Sequence, residues 1–192
     1  MNLAAKVRAF IAIDVPIELK QTISRIQRDL ASLRDGKVAW VKPDGVHLTL
    51  HFIGDVEKEK IPELVTCIKV AVGKNKDFTL QTTSQGAFPR MSQPKTYWIG
   101  VEGGSRLVEL YQNISTALDN MGFAHESGKF HPHLTVGRVK ELPSGSIMSS
   151  EFAAMTIPRF SWKAGTVKLM SSHLLPTGAE YDCIQSVEFL QS

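Results

Sequence analysis

The stretch HLTLHFIGDV, residues 47–56, opens with a pattern that returns 86 positions later as HLTVGRV, residues 133–139. In both stretches polar and aliphatic residues alternate from the first histidine onward, which is typical of a β-strand. Side chains two residues apart on a strand project from the same face, about 6.7 Å from each other. Each stretch is therefore predicted to present its histidine and its threonine on one face of a strand, with aliphatic residues on the other.

The elements around the two stretches also repeat. Apolar spacing predicts the order strand, helix, strand, helix, strand in the first half. The second half follows the same order, with a short apolar stretch where the second helix stood. The first-half elements are predicted at 7–15, 17–33, 46–53, 57–72 and 78–88, and those of the second half at 97–101, 107–118, 133–136, 152–155 and 160–175. This order indicates a duplication, with approximate repeats 7–90 and 95–190 in one bilobal domain of residues 1–192 and an internal boundary at 88–94.

Helices placed between strands in this way favour an α+β fold. We predict two pseudo-symmetric lobes of mixed or antiparallel sheet, with helices packed outside and the active site in the cleft between the lobes. If the lobes pack about a twofold axis, the polar side chains of the two stretches converge on one point. The predicted catalytic residues are His47, Thr49, His133 and Thr135.

Paired histidines and threonines suit chemistry at a phosphodiester. In-line displacement at phosphorus needs a base on the attacking oxygen and an acid on the leaving oxygen, and an imidazole with a pKa near ~6.5 can take either role. Threonine hydroxyls can donate hydrogen bonds to the non-bridging oxygens, where charge builds in the transition state. Because the acid neutralises the leaving alkoxide, we predict a reaction that needs no metal and no cofactor. One His-x-Thr would indicate a structural histidine, but two copies at the same place in a repeat favour a shared site.

The two motifs resemble the HxTx signatures of the two-histidine phosphoesterases, and within them those of the RNA 2′,3′-cyclic phosphodiesterases, historically called 2′-5′ RNA ligases. The resemblance covers most of the chain. It includes the opening strand RAFIAID at 8–14, Trp40–Val41 leading into 47–56, Phe88–Pro89, Gly122–Phe123, the block FHPHLTVGRV at 130–139 and the late Leu169-x-Ser171.

What the resemblance implies is a bilobal fold with a water-filled cleft and hydrolysis of a terminal 2′,3′-cyclic phosphate to a 2′-phosphomonoester. In some members the reverse reaction joins RNA ends through a 2′-5′ bond. The implied partners are RNA ends, tRNA fragments among them. By analogy with the family, His47 protonates the departing 3′ oxygen and His133 activates water; residue chemistry alone does not decide which histidine is which.

Arg138 lies where the family often places an arginine beside the substrate phosphate, five residues after the second histidine. A regular strand would point it to the face opposite Thr135, but Gly137 could supply a bulge that turns it back. We predict that Arg138 binds the phosphate. By the same alternation His51 and His131 would face the cleft, either at its rim or as supporting residues that contact the catalytic groups. Trp40, Tyr97 and Trp98 are candidates for stacking on a base, with a core role favoured for Trp98.

Three alternatives stay open at this point. A zinc site could be built from His47, His51, His131 and His133, although no acidic residue or cysteine is spaced with them as a further ligand and the threonines would be unexplained. The chain could be a non-catalytic module that binds RNA or nucleotides. It could also keep the chemistry and act on a small cyclic nucleotide.

The composition is that of an ordinary globular protein. The 192 residues are 43% hydrophobic and 21% charged, with a formal charge of +3 that mildly favours an anionic partner. Cys67 and Cys183 lack metal-site or redox spacing and are predicted to be buried and reduced. No stretch approaches the ~20 apolar residues of a membrane span, and none resembles an export signal. We expect a monomeric cytoplasmic protein without a membrane partner.

Overall fold

A computed structural model of the protein describes residues 5–73, 75–126, 128–175 and 178–190. In these residues nine strands are interspersed with four α-helices. The strands are β1 Lys6–Asp14, β2 Lys37–Trp40, β3 His47–Glu57, β4 Phe78–Arg90, β5 Gln93–Glu102, β6 His133–Glu141, β7 Ser161–Ala164, β8 Thr166–Leu175 and β9 Gly178–Glu188. The helices are α1 Ile17–Ser32, α2 Ile61–Val72, α3 Gly104–Asn120 and α4 Met148–Ala154.

The strands form one sheet in the order β7-β4-β5-β6-β3-β1-β8-β9, and β2 pairs with β6. All pairings between the named strands are antiparallel. The two strands that carry the His-x-Thr motifs, β3 and β6, are neighbours at the centre of this order. The predicted α+β class, with an antiparallel sheet and packed helices, is confirmed.

The helices cover the sheet through apolar stripes. In α1 the buried aliphatic positions are Leu19, Ile23, Ile26 and Leu30, which recur at three- and four-residue steps and so lie on one side of the helix. They join the same hydrophobic core as the leucines and valines of the two motif strands. Because that core lies behind the motif strands, it holds them rigidly from one side. No helix among the described residues is long and apolar enough to cross a membrane.

Several boundaries differ from the sequence-based prediction. The strand of the first motif does not stop at Gly54, because that glycine adopts a φ of +79° and lets β3 continue to Glu57. The predicted boundary at 88–94 is a tight hairpin between β4 and β5, with Arg90 opposite Gln93. Cys67 is buried as predicted, whereas Cys183 is exposed.

Candidate active site

Strands β3 and β6 meet where Leu48 lies opposite Leu134. Both leucines are completely buried in the core. Since side chains alternate along a strand, the residues before and after each leucine face the other side of the sheet. Antiparallel register then sets each histidine beside the threonine of the other strand. This half-buried group consists of His47, Thr49, His133 and Thr135.

Strand β6 carries a β-bulge directly after its threonine. Neighbouring residues of β5 pair with Thr135 and with Gly137, so Val136 is the extra residue between them. A bulge interrupts the alternation of faces. Arg138 is therefore no longer expected on the face opposite Thr135. Arg138 is exposed, and its positive charge contributes to lowering the pKa of His133. The guanidinium of Arg138 thus lies near enough to His133 for its charge to affect the protonation of the imidazole.

Strand β3 carries a bulge at the equivalent place. Neighbouring residues of β1 pair with Thr49 and with His51, so Leu50 is the extra residue. His51 consequently points away from the histidine pair: it is 2% exposed and stacks on Tyr111 of α3, with 4.2 Å between ring centroids. Its Nε2 lies 3.0 Å from the carbonyl oxygen of Tyr111. The expectation that His51 lies on the cleft rim is wrong, because it assumed a regular strand.

The zinc hypothesis required four histidines to come together, and they do not. His51 is packed against α3, while His131 is exposed with its ring centroid 4.7 Å from that of Trp98. Within the described part of the chain, no group of three or more His, Cys, Asp or Glu side chains is arranged to hold a metal ion.

His133 is held in one tautomer by the backbone. Its Nδ1 lies 2.7 Å from the carbonyl oxygen of His131, and a carbonyl can only accept, so Nδ1 carries the proton. In the neutral ring Nε2 is then free to accept a proton. The edge of Phe88 lies against this ring, with centroids 5.0 Å apart, and restricts how the imidazole can turn.

His47 is held chiefly by aromatic neighbours. Burial lowers the pKa of this ring, and the backbone of Gly45, again two residues before the histidine, opposes part of that effect. Phe10 stacks on the imidazole at 4.8 Å between centroids, and Tyr181 of β9 meets it edge-on at 5.1 Å. Aromatic rings therefore contact both imidazoles, and the backbone in addition fixes the tautomer of His133.

Partial burial sets the protonation of both rings. It lowers the pKa of His47 to about 4 and also lowers the pKa of His133. Charge on His133 contributes to lowering the pKa of His47, so the two imidazoles lie near enough to influence each other. Before a ligand binds, both rings are therefore neutral at pH 7.

Comparison with known proteins identifies the family. A model of the 2′-5′ RNA ligase superfamily matches residues 15–174 of the chain. The chain belongs to the 2′-5′ RNA ligase superfamily. The resemblance read from the two motifs is confirmed.

Relatives within this superfamily match along nearly the whole chain. An RNA 2′,3′-cyclic phosphodiesterase of Thermotoga maritima is 35% identical and covers 95% of both chains. One of Methanothermobacter thermautotrophicus is 32% identical over 92% of this chain and 95% of the relative. The crystal structure of Escherichia coli LigT complexed with 3′-AMP has a TM-score of 0.77 at 23% identity, covering 97% of this chain and 100% of the other, and shares the fold.

In this member of the 2′-5′ RNA ligase superfamily, a charged group that the sequence did not reveal lies beside the first histidine. Asp14 is the register partner of His47 across β1 and β3. Burial alone would raise the pKa of Asp14, but hydrogen bonds from Lys168 and Lys20, each 2.8 Å long, lower it instead. The ionised carboxylate contributes to raising the pKa of His47 and so opposes part of the effect of burial.

An aromatic side chain that flanks the first histidine, Phe10, was also missed. Phe10 and the predicted candidate Trp98 occupy corresponding places in the opening strands of the repeats, 88 positions apart, and contact His47 and His133 respectively. That offset was the signal that could have identified Phe10. No sequence signal could have identified Tyr181, since β9 comes near the site only because it pairs with β8 in the folded sheet.

The other sequence candidates have different roles. Tyr97 is completely buried, with its hydroxyl 2.8 Å from Ser149, and is not available to stack on a base. The indole of Trp40 lies so close over Gly137 that an added Cβ would approach it to 2.7 Å. A core position was favoured for Trp98 from the sequence, but this residue is half-buried and lies beside His133.

Proposed function

We propose that this protein hydrolyses the 2′,3′-cyclic phosphate at the end of an RNA strand to a 2′-phosphomonoester, with His47 and His133 as an acid–base pair. The observation that carries the proposal is the placement of both histidines on one sheet face, on either side of the buried Leu48–Leu134 pair. The names of the relatives from Thermotoga maritima and Methanothermobacter thermautotrophicus support the substrate.

The proposed base is His133. With Nδ1–H held by the carbonyl of His131, its Nε2 takes a proton from water as the water oxygen bonds to phosphorus. His47 gives a proton to the 3′ oxygen as the bond between that oxygen and phosphorus breaks. The net change adds one water, leaves the phosphate on the 2′ oxygen and transfers one proton between the histidines.

The proposed acid must be charged when it acts, and substrate binding supplies the reason. The pKa of His47 lies at about 4 in the free protein. An anionic phosphate next to the imidazole favours its charged form and raises that pKa. The same anion lies within reach of the charge on Arg138, while the hydroxyls of Thr49 and Thr135 donate to its non-bridging oxygens.

No metal is required in this scheme, because the proton from the acid neutralises the leaving oxygen. With an RNA 5′-hydroxyl as the attacking group in place of water, the scheme also describes 2′-5′ ligation of RNA ends, which we include in the proposal: the 5′ oxygen bonds to phosphorus as the bond to the 3′ oxygen breaks. We further propose that the protein acts as a monomer on such ends, those of tRNA fragments included.

The direct test offers purified protein an RNA oligomer that ends in a 2′,3′-cyclic phosphate, with EDTA present. The proposal predicts one product, the 2′-phosphomonoester, at a rate that EDTA leaves unchanged. His173→Ala is a matched control, since that histidine is exposed and paired with Asp182 at 3.2 Å, away from the pair. A 3′-phosphate product, or activity that EDTA abolishes and zinc restores, contradicts the proposal.

A further inference from the structure

A cavity of about 570 Å³ is lined by residues of strands β1, β3, β6, β8 and β9. Tyr181 belongs both to this cavity and to the surroundings of His47, since its ring meets the imidazole at 5.1 Å. Arg138 enters from β6 and also lines it. The cavity therefore adjoins the candidate active site through Tyr181 and Arg138.

Arg8 lines the same cavity. It lies on β1 two residues before Phe10, the residue that stacks on His47, and so projects from the same face of the strand. The two positions are about 6.7 Å apart along β1. Phe52 pairs with Phe10 across the sheet, is 38% exposed and also lines the cavity. Phe10 itself is buried, so the exposed aromatic surface between the histidine and Arg8 is that of Phe52.

The charges in this cavity are not balanced by the protein. In the described residues, the guanidinium groups of Arg8 and Arg138 form no ion pair and no hydrogen bond. One carboxylate, Glu126, is among the lining residues, and its backbone N–H donates to the carbonyl of Phe52 at 3.1 Å. Asp55, the register partner of Arg8 on β3, forms no ion pair with it and does not line the cavity. The lining itself carries two guanidinium groups and one carboxylate, which favours an anion.

We propose that Arg8 binds the phosphodiester that joins the terminal nucleotide of the substrate to the nucleotide before it, so that the enzyme prefers RNA ends to cyclic mononucleotides. This rests on the proposed function and extends it to the substrate class. A guanidinium is suited to this role because its planar donors match two phosphate oxygens. The exposed aromatic surface between His47 and Arg8 provides a platform on which the terminal base can stack.

The test compares three substrates that share the same terminal cyclic phosphate. They are a 2′,3′-cyclic mononucleotide, the dinucleotide with one further 5′ nucleotide, and that dinucleotide with an uncharged methylphosphonate linkage. We expect the wild-type kcat/KM to be about 10- to 100-fold higher for the natural dinucleotide than for the mononucleotide, the size of one charge-assisted hydrogen-bond set. The methylphosphonate should lose most of that advantage.

Arg8→Gln should lower kcat/KM for the natural dinucleotide about 10-fold or more beyond any effect on the mononucleotide, and should make the enzyme indifferent to the methylphosphonate. Arg8→Lys should restore part of the preference, since it keeps the charge without the planar fork. Arg28→Gln, at an exposed position of α1, is the matched control and should leave all three ratios as they are.

The outcomes separate the two proposals. If the wild type hydrolyses the substrates and Arg8→Gln leaves the ratio of dinucleotide to mononucleotide unchanged, the role of Arg8 is wrong and the proposed function stands. Equal losses on both substrates likewise overturn it, since they place Arg8 at the terminal nucleotide. If the wild type hydrolyses neither natural substrate, the proposed function fails and the inference fails with it.

Discussion

The side-chain amide of Gln27, on helix α1, donates a hydrogen bond of 2.8 Å to the carbonyl oxygen of Val136, the extra residue of the β6 bulge. The same amide donates a second bond of 2.8 Å to the carbonyl of Val41. Gln27 is 7% exposed, so these bonds form within the protein interior. The helix thereby fixes the bulge after which Arg138 emerges.

Replacing this glutamine should weaken both the fold and the site. Gln27→Ala should lower the free energy of unfolding by about 1–3 kcal/mol, because it leaves buried carbonyls with fewer partners. It should also raise KM more than it lowers kcat, since the bulge that positions Arg138 loses support. Denaturant unfolding and steady-state kinetics measure the two effects. Gln21→Ala, at an exposed position of the same helix, is the control. Unchanged stability in Gln27→Ala would contradict the role given to this amide.

The threonines should contribute as hydrogen-bond donors to charged oxygens. Thr49→Val and Thr135→Val keep the shape of the side chain and remove the hydroxyl. Each should lower kcat/KM by roughly 10- to 150-fold, the value of one hydrogen bond to a charged group. Thr116→Val, on the exposed side of α3, should have no such effect. Wild-type kinetics in either site variant would remove that threonine from the mechanism.

Arg138 should affect both binding and the pH profile. In the proposed mechanism the active protein holds one proton on the histidine pair, so kcat/KM should form a bell bounded by two macroscopic constants. Burial lowers both pKa values, and the bell for the free enzyme should therefore lie mostly below pH 6.5. The kcat profile should lie at higher pH, because the bound phosphate raises the pKa values.

The Arg138 guanidinium contributes to lowering the pKa of His133, so Arg138→Gln should move one limb of the kcat/KM bell to higher pH and reduce its height about 10- to 100-fold. Arg138→Lys, which keeps the charge, should leave the limbs near their wild-type positions. A bell whose limbs do not move in Arg138→Gln would place the arginine away from His133.

His51 should govern stability in acid rather than catalysis. Burial lowers its pKa to about 4 in the folded protein, below the value of ~6.5 expected in the unfolded chain. The unfolded chain therefore takes up the proton first, and the stabilisation by neutral His51 is complete above pH 6.5 and is lost as the pH falls towards 4. His51→Phe should reduce the fall in unfolding free energy across this window by up to about 3 kcal/mol. Thr116→Val, at an exposed position of α3, removes no titratable group and should leave that fall unchanged.

Sequence predicted most of the fold and the core of the candidate site for a physical reason. Strict alternation in the two motifs fixed which residues share a face, and helix α1, predicted at 17–33, spans Ile17–Ser32 because its apolar spacing is regular. The bulges at Leu50 and Val136 defeated that logic, since one extra residue reverses alternation after it. The bulge at Leu50 turns His51 towards the core. The bulge at Val136 removes the expectation that Arg138 lies on the face opposite Thr135.

Long-range pairing set a second limit. Tyr181 follows both motifs by more than 40 residues and approaches His47 only because β9 pairs with β8 and β8 with β1. Lys168, which bonds to Asp14, comes to the site on the same strand β8. No local pattern in the sequence encodes these approaches, because they depend on the strand order of the finished sheet.

The central claim is that His47 and His133 act as one catalytic unit. A double-mutant cycle, with the RNA cyclic phosphate as substrate, measures this most directly. Each single change, His47→Ala or His133→Ala, should lower kcat about 100-fold or more, since each removes an acid or a base. The kcat of the double variant should lie within a few fold of that of the slower single variant. The reason is that the pair acts as one unit, so removal of either histidine already disables it. Thermal unfolding must show all three variants folded. Near-normal turnover in a folded single variant, or losses that multiply in the double variant, would contradict the account.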